Sequence, residues 1–181
     1  LVRPGARARE YEDAILWLEQ AGLINKVLLS KAPKLPLKAY DDLGTFKLYT
    51  LDLGLLRRLS ELDASILLLP TPAYTEYKGA LAENYILQSL TAQFQMPFRY
   101  WASGNKAEVD FLLQYANQIY PIEVKADQNI QGKSLIQYEK LFQPTCRIRY
   151  SMLNLKRDGN LLNIPLFLAD KTKELLGVVS D

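Results

Sequence analysis

Histidine is absent from the 181 residues of this chain, and cysteine occurs once, as Cys146. The first absence excludes His-based zinc sites, Ser-His-Asp triads and Cys-His pairs, and leaves acids, Lys and Tyr for proton transfer. The second excludes an intramolecular disulfide and suits a cytoplasmic setting. No apolar run approaches a membrane span; residues 66–70, Ile-Leu-Leu-Leu-Pro, stop far too soon. A Gly-x-x-x-x-Gly-Lys-Ser/Thr loop is also missing, so ATP hydrolysis is not expected of these residues. No signal peptide is readable, and a start at Leu1 rather than Met leads us to expect a piece of a longer protein. Strong charge of either sign is lacking too. Twenty-two Lys and Arg against 20 Asp and Glu give +2, well short of what would by itself indicate nucleic-acid binding.

What is present is an ordinary globular composition, 49% hydrophobic and 23% charged, enough for one sizeable domain or a domain with an appendage. Within it, four charged residues interrupt apolar segments: Glu83, Asp110, Glu123 and Lys125. A charge in such a setting is costly unless something holds it there. Strand alternation over 107–113 puts Ala107, Val109, Phe111 and Leu113 on one face and Glu108, Asp110 and Leu112 on the other. The same reasoning over 119–125 groups Glu123 and Lys125 opposite Tyr120, Ile122 and Val124. Glu83 falls on a helix over 74–95, on the stripe of Ala80, Leu87, Leu90 and Phe94.

Twelve residues separate Asp110 from Glu123, which fits two strands joined by a turn at Tyr115-Ala-Asn-Gln118. Their carboxylates are hard ligands suited to Mg2+ or Mn2+, and the Val124 carbonyl would add a third oxygen. Lys125 would orient or deprotonate a water, or offset charge developing on a phosphate. A solvated, charged sheet face has the same spacing.

Along the chain, Tyr11, Ala14, Ile15, Leu18 and Ala21 form a helical stripe that stops at Gly22. Strands follow over 27–30 and 46–49, joined by a proline-bearing connection with Lys31, Lys34 and Lys38. Residues 52–69 read as one or two short helices, with a boundary near Thr71-Pro. Beyond it come a helix, strands over 98–102, 107–113 and 118–125, a helix over 133–142 and a strand over 147–152. The tail holds a strand over 164–168 and a helix over 171–176. Pro121, unable to donate to a ladder, marks a bulge or a strand start. Arg147 and Arg149 share a strand face and either line a groove or pair with acids. Tyr100 and Trp101 either stack on bases or pack in the core.

The set Glu83, Asp110 and Glu123-Val-Lys125 resembles the PD-(D/E)XK nuclease superfamily. The stretches Phe46-Lys-Leu-Tyr-Thr-Leu-Asp-Leu-Gly-Leu-Leu56, Gly79-Ala-Leu-Ala-Glu-Asn-Tyr85, Tyr100-Trp-Ala, Ala107-Glu-Val-Asp-Phe-Leu-Leu113 and Pro121-Ile-Glu-Val-Lys-Ala126 are similar to the C-terminal half of a group of bacterial and archaeal AAA-type ATPases. That resemblance implies an α/β fold, a mixed sheet flanked by helices, with a PD-(D/E)XK restriction-endonuclease-like core. It divides the chain into a winged-helix-like remnant at 1–58, a helical linker at 59–75 and the nuclease-like domain at 76–181. It further implies Glu83, Asp110, Glu123 and Lys125 as catalytic residues, a metal held by Glu83, Asp110, Glu123 and Val124, and nucleic acid, DNA ahead of RNA, as partner. ATP would bind only in an ATPase domain of the full-length protein, outside these residues. One departure is that Gln137 is followed four residues later by Leu141, where some related nucleases carry Tyr. The competing expectation is a non-catalytic module that docks nucleic acid or protein for the ATPase.

Overall fold

The computed structural model describes residues 8–61, 72–104, 107–126 and 132–179. The expected helical content of 62–69 and the boundary at Thr71 lie outside them, as does Asn105, between the strands expected over 98–102 and 107–113. Helix α1 (Glu12–Gln20) ends because Gly22 adopts φ +70, which lets the Leu23 and Gly22 amides turn back to the Leu18 and Glu19 carbonyls. Strands β1 (Ile24–Ser30) and β2 (Asp41–Thr50) follow as an antiparallel pair. Asp52 then starts α2 (Leu53–Leu59) by accepting the Leu55 amide at 2.8 Å.

The second half runs α3 (Pro72–Phe94), β3 (Arg99–Ala102), β4 (Glu108–Tyr115), β5 (Gln118–Val124), α4 (Lys133–Phe142) and β6 (Arg147–Ser151). It closes with β7 (Lys156–Asp158), β8 (Leu161–Pro165) and α5 (Thr172–Val179). The eight strands among the described residues form one sheet in the order β2-β1-β3-β4-β5-β6-β8-β7. β3, β4 and β5 are antiparallel neighbours, whereas β6 runs parallel to β5 and β8 parallel to β6. The β1–β2 pair belongs to the same sheet through a parallel contact of β1 with β3.

Two apolar layers cover the sheet. Ile86, Leu87 and Leu90 of α3 and Leu176 of α5 pack on Phe111, Ile122, Ile148 and Ile164 on one face. Leu135 and Tyr138 of α4 pack on Trp101, Val109 and Leu112 on the other. Tyr100 and Trp101 are both buried, with Trp101 edge-on to Tyr138 and Phe142, so core packing is what these aromatics do. No helix among the described residues is long and apolar enough to cross a membrane.

The expected alternation along β4 is broken. Phe111 and Leu113 lie in the layer under α3, whereas Ala107 and Val109 join Leu112 in the layer under α4. The reason is an extra residue. Arg99 pairs with Leu112 but Trp101 pairs with Val109, so three steps on β4 face two on β3. A bulge or a strand start was expected at Pro121, yet β5 begins at Gln118 and pairs with β4 through Pro121 without a register shift. Pro121 is tolerated because the Lys125 amide bonds to Tyr150 of β6, and strand alternation turns the Pro121 nitrogen to that side too. The β6 ladder begins only at Ile122. The irregularity therefore sits on β4, beside Asp110.

Candidate active site

The bulge and the end of the β4–β5 ladder meet at one point. Pairing stops at Phe111 and Ile122, and beyond it the Asp110 carboxylate takes the Val124 amide at 2.7 Å in place of a backbone carbonyl. Burial and the negative charge of Glu83 push the Asp110 carboxyl up to about 7, against the opposing pull of the Val124 amide and Lys47. Glu123 adds a smaller upward push.

Ile122, Val124 and Ala126 enter the layer under α3, which turns Glu123 and Lys125 the other way, as the alternation predicts. Glu123 is only 2% exposed. Its Oε1 accepts from Lys125 Nζ at 2.8 Å, while its Oε2 is buried with no hydrogen-bond partner. Burial alone would lower the Lys125 ammonium, but its hydrogen bond and ion pair with Glu123 raise it.

Glu83 lies on α3 between the buried Ala82 and Asn84, half-buried itself, and its Oε2 accepts from the Tyr49 hydroxyl at 2.8 Å. Burial and the Glu83 charge both raise the Tyr49 phenol, so it stays a donor. Asn84 accepts the Thr50 amide at 2.9 Å and anchors the end of β2 to the same helix. Two residues before Tyr49, Lys47 pairs with Glu108 and lies 5.0 Å from the centre of the Tyr100 ring. Glu83 and Asp110 both act on its ammonium, which is raised in spite of burial.

The structure thus brings Glu83, Asp110, Glu123 and Lys125 into one electrostatic cluster. Sequence reasoning missed Lys47, Tyr49 and Glu108 as members. Glu108 was readable as a neighbour of Asp110, and Lys47 and Tyr49 alternate on one face of β2. Nothing in the sequence said that this face meets α3. The cluster carries four carboxylates and two lysines, leaving two negative charges when all are ionised. Its donors are hard oxygens of the kind that suit Mg2+ or Mn2+, and the orphaned Glu123 Oε2 is an acceptor in want of a cation or donor. Even so, among the described residues no group of three His, Cys, Asp or Glu is assembled to hold a metal ion.

The other sequence candidates sit elsewhere. Gln137 donates to Ser103 Oγ at 3.2 Å. Arg147 pairs with Glu139 at 3.0 Å, and Arg149 donates to Asn163 at 2.9 Å, so the acid-pairing reading holds for Arg147. Lys31, Lys34 and Lys38 are exposed, with Lys31 3.7 Å from Asp42.

Residues 78–167 match a family described as a domain of unknown function (DUF4143), and residues 2–66 match another described as a domain of unknown function (DUF8612). No curated protein and no solved structure matches the chain. The cluster draws on both matched stretches, Lys47 and Tyr49 from 2–66 and the remaining five residues from 78–167.

Proposed function

We propose that this chain is a metal-dependent phosphodiesterase acting on DNA, built on a PD-(D/E)XK-like core and serving an AAA-type ATPase domain of a longer protein. The observation that carries the reading is the Glu123 carboxylate, buried to 2% exposure with one oxygen unpartnered, two residues from Lys125 and beside Asp110. An unsatisfied buried carboxylate oxygen is expensive, and a divalent cation is the partner that suits a net negative cluster of hard oxygens. The run α3-β3-β4-β5-α4-β6, with three antiparallel strands and a fourth parallel to the third, supports the nuclease-like core. Occurrence of the DUF4143 domain in AAA-ATPase-associated proteins supports the proposed partner. For residues 1–58, the β1–β2 hairpin and its lysine-bearing connection support the winged-helix-like reading, although this hairpin is continuous with the main sheet.

Asp110, Glu123 and the Val124 carbonyl would hold Mg2+ or Mn2+, with Glu83 as a further ligand or as the acid that positions water. The cation supplies Lewis acidity toward a phosphoryl oxygen. Lys125, kept protonated by Glu123, would stabilise charge on the scissile phosphate. Asp110 is free to exchange its Val124 amide for a cation, and a carboxyl poised near neutrality loses its proton readily on doing so.

The test is cleavage of a DNA fragment by the full chain in Mn2+ and in EDTA, alongside Asp110→Ala and Lys125→Ala, with Mn2+ binding followed by calorimetry. Cleavage by the parent chain that needs Mn2+ and disappears in both variants, with the fold intact, is the expected result. A folded chain that binds neither Mn2+ nor DNA at low salt refutes the reading. A second reading, a non-catalytic module docking nucleic acid or protein for the ATPase, draws on the lack of an assembled metal group among the described residues. It predicts binding that survives alanine at the acids and falls with salt through Lys and Arg.

A further inference from the structure

We infer that Lys47 is a phosphate-binding residue of this site, delivered by β2 and held by Glu108 in the free protein until a DNA phosphate displaces that carboxylate. The inference rests on the phosphodiesterase reading for its class of ligand and adds to it a residue from outside the Asp-Glu-Lys set.

Register fixes the side. Lys47 lies opposite Val27, which packs in the layer under α3, and Tyr49, two residues on, reaches Glu83 on that helix. Lys47 therefore projects from the sheet face that carries Glu83. The ring of Tyr100, 5.0 Å below the ammonium, steadies it.

The two lysines of the cluster differ in what holds them. Lys125 is bound to a carboxylate that is 3% exposed, and separating that pair would strand a buried charge. Lys47 is bound to Glu108, whose side chain is 46% exposed, so the carboxylate can turn into water when its partner leaves. An ion pair whose carboxylate is this open to water is weak enough for a phosphate oxygen to compete. An ammonium is a point charge suited to a phosphate oxygen without a fixed angle. Lys47 thus can give its ammonium wholly to substrate, while Lys125 keeps one N–H on the acid beside it and has only its remaining donors for the scissile phosphate.

Binding of a short fluorescein-labelled DNA duplex to the full chain, followed by anisotropy in Ca2+ over a salt series, tests this. Lys47→Gln is expected to weaken binding about 3- to 10-fold and to lower the salt slope by about one, while Lys47→Arg retains both. Glu108→Gln is expected to do the opposite, tightening binding about 2- to 5-fold by releasing the ammonium. A purely structural pair would give the same sign in both variants. The inference is overturned if the parent chain binds no duplex, if Lys47→Gln binds with unchanged affinity and slope, or if both variants weaken binding alike. Should Lys47→Gln fail to fold, Glu108→Gln decides alone, and unchanged or weaker binding overturns the inference. Cleavage in Mn2+ is scored separately, so a chain that binds through Lys47 without cutting refutes the phosphodiesterase reading and leaves this one standing.

Discussion

Replacing Asp110 by Asn should stabilise the metal-free protein above neutral pH. The carboxyl rises from an ordinary value of 3.8 to about 7 in the fold, because burial and the Glu83 charge disfavour its ionised form. The native state therefore keeps a proton that the unfolded chain has lost, and stability falls as pH climbs through that interval. About three units at about 1.4 kcal/mol each would give about 4 kcal/mol as a ceiling. Residual solvation and relaxation of the charges around the carboxylate absorb much of that, so we expect about 1–2 kcal/mol. Asn keeps an oxygen to accept the Val124 amide, and with it the contact that closes the strand end. Urea unfolding in EDTA should show the two proteins equal near pH 4, with Asp110→Asn gaining through neutrality and levelling above about pH 7. In Mn2+ the order should reverse, since only the parent chain gains from ligand binding. An advantage that does not change with pH, or a variant less stable at pH 8 in EDTA, refutes the reasoning.

Three further outcomes follow from contacts away from that carboxyl. Asp41→Ala should cost about 3–5 kcal/mol in urea unfolding, because it strands the Arg99 guanidinium, now held by two bonds of 2.9 Å within a pair only 10% exposed on each side. Asn84→Ala should cost about 1–3 kcal/mol, since it removes the acceptor of the Thr50 amide, and amide exchange at Thr50 should accelerate more than at Leu90. Ala116→Gly should raise stability by up to about 1 kcal/mol, because Ala116 and Asn117 hold φ of 47 and 61 in the β4–β5 turn, and the first strains an L side chain.

The sequence disclosed whatever depended on local period. α4 lies where apolar spacing put it, and the turn at Ala116 and Asn117 falls between the expected strands. Glu123 and Lys125 share a face because alternation is undisturbed along β5. Asp110 was recognisable as an acid in an apolar run, but the side that strict alternation assigned along this run is not the one observed. That side depends on a bulge created by pairing with β3, and the β4 residues themselves look regular. β7 escaped notice because Lys156–Asp158 is exposed throughout and carries no apolar alternation. Lys47 and Tyr49 were legible as strand residues and not as site residues, since only the contact of β2 with α3 gives them that role.

The parallel contact of β1 with β3 joins Leu28 to Arg99 and Leu29 to Tyr100, across some seventy residues of chain. The hairpin partner of β1 is close in sequence and can form early, on its own. Its other edge waits until the whole of α3 has been made. Loop-closure entropy must be overcome before such a pairing gives anything back, so docking of the hairpin onto β3 belongs late in folding. During synthesis the inner edge of β1 stands open, a template for any passing strand, until Arg99 and Tyr100 arrive. Since that docking also delivers Tyr49 to Glu83, the cluster of acids is completed last, and a chain stalled before it would carry β4 and β5 without the hydroxyl that orders their neighbour on α3.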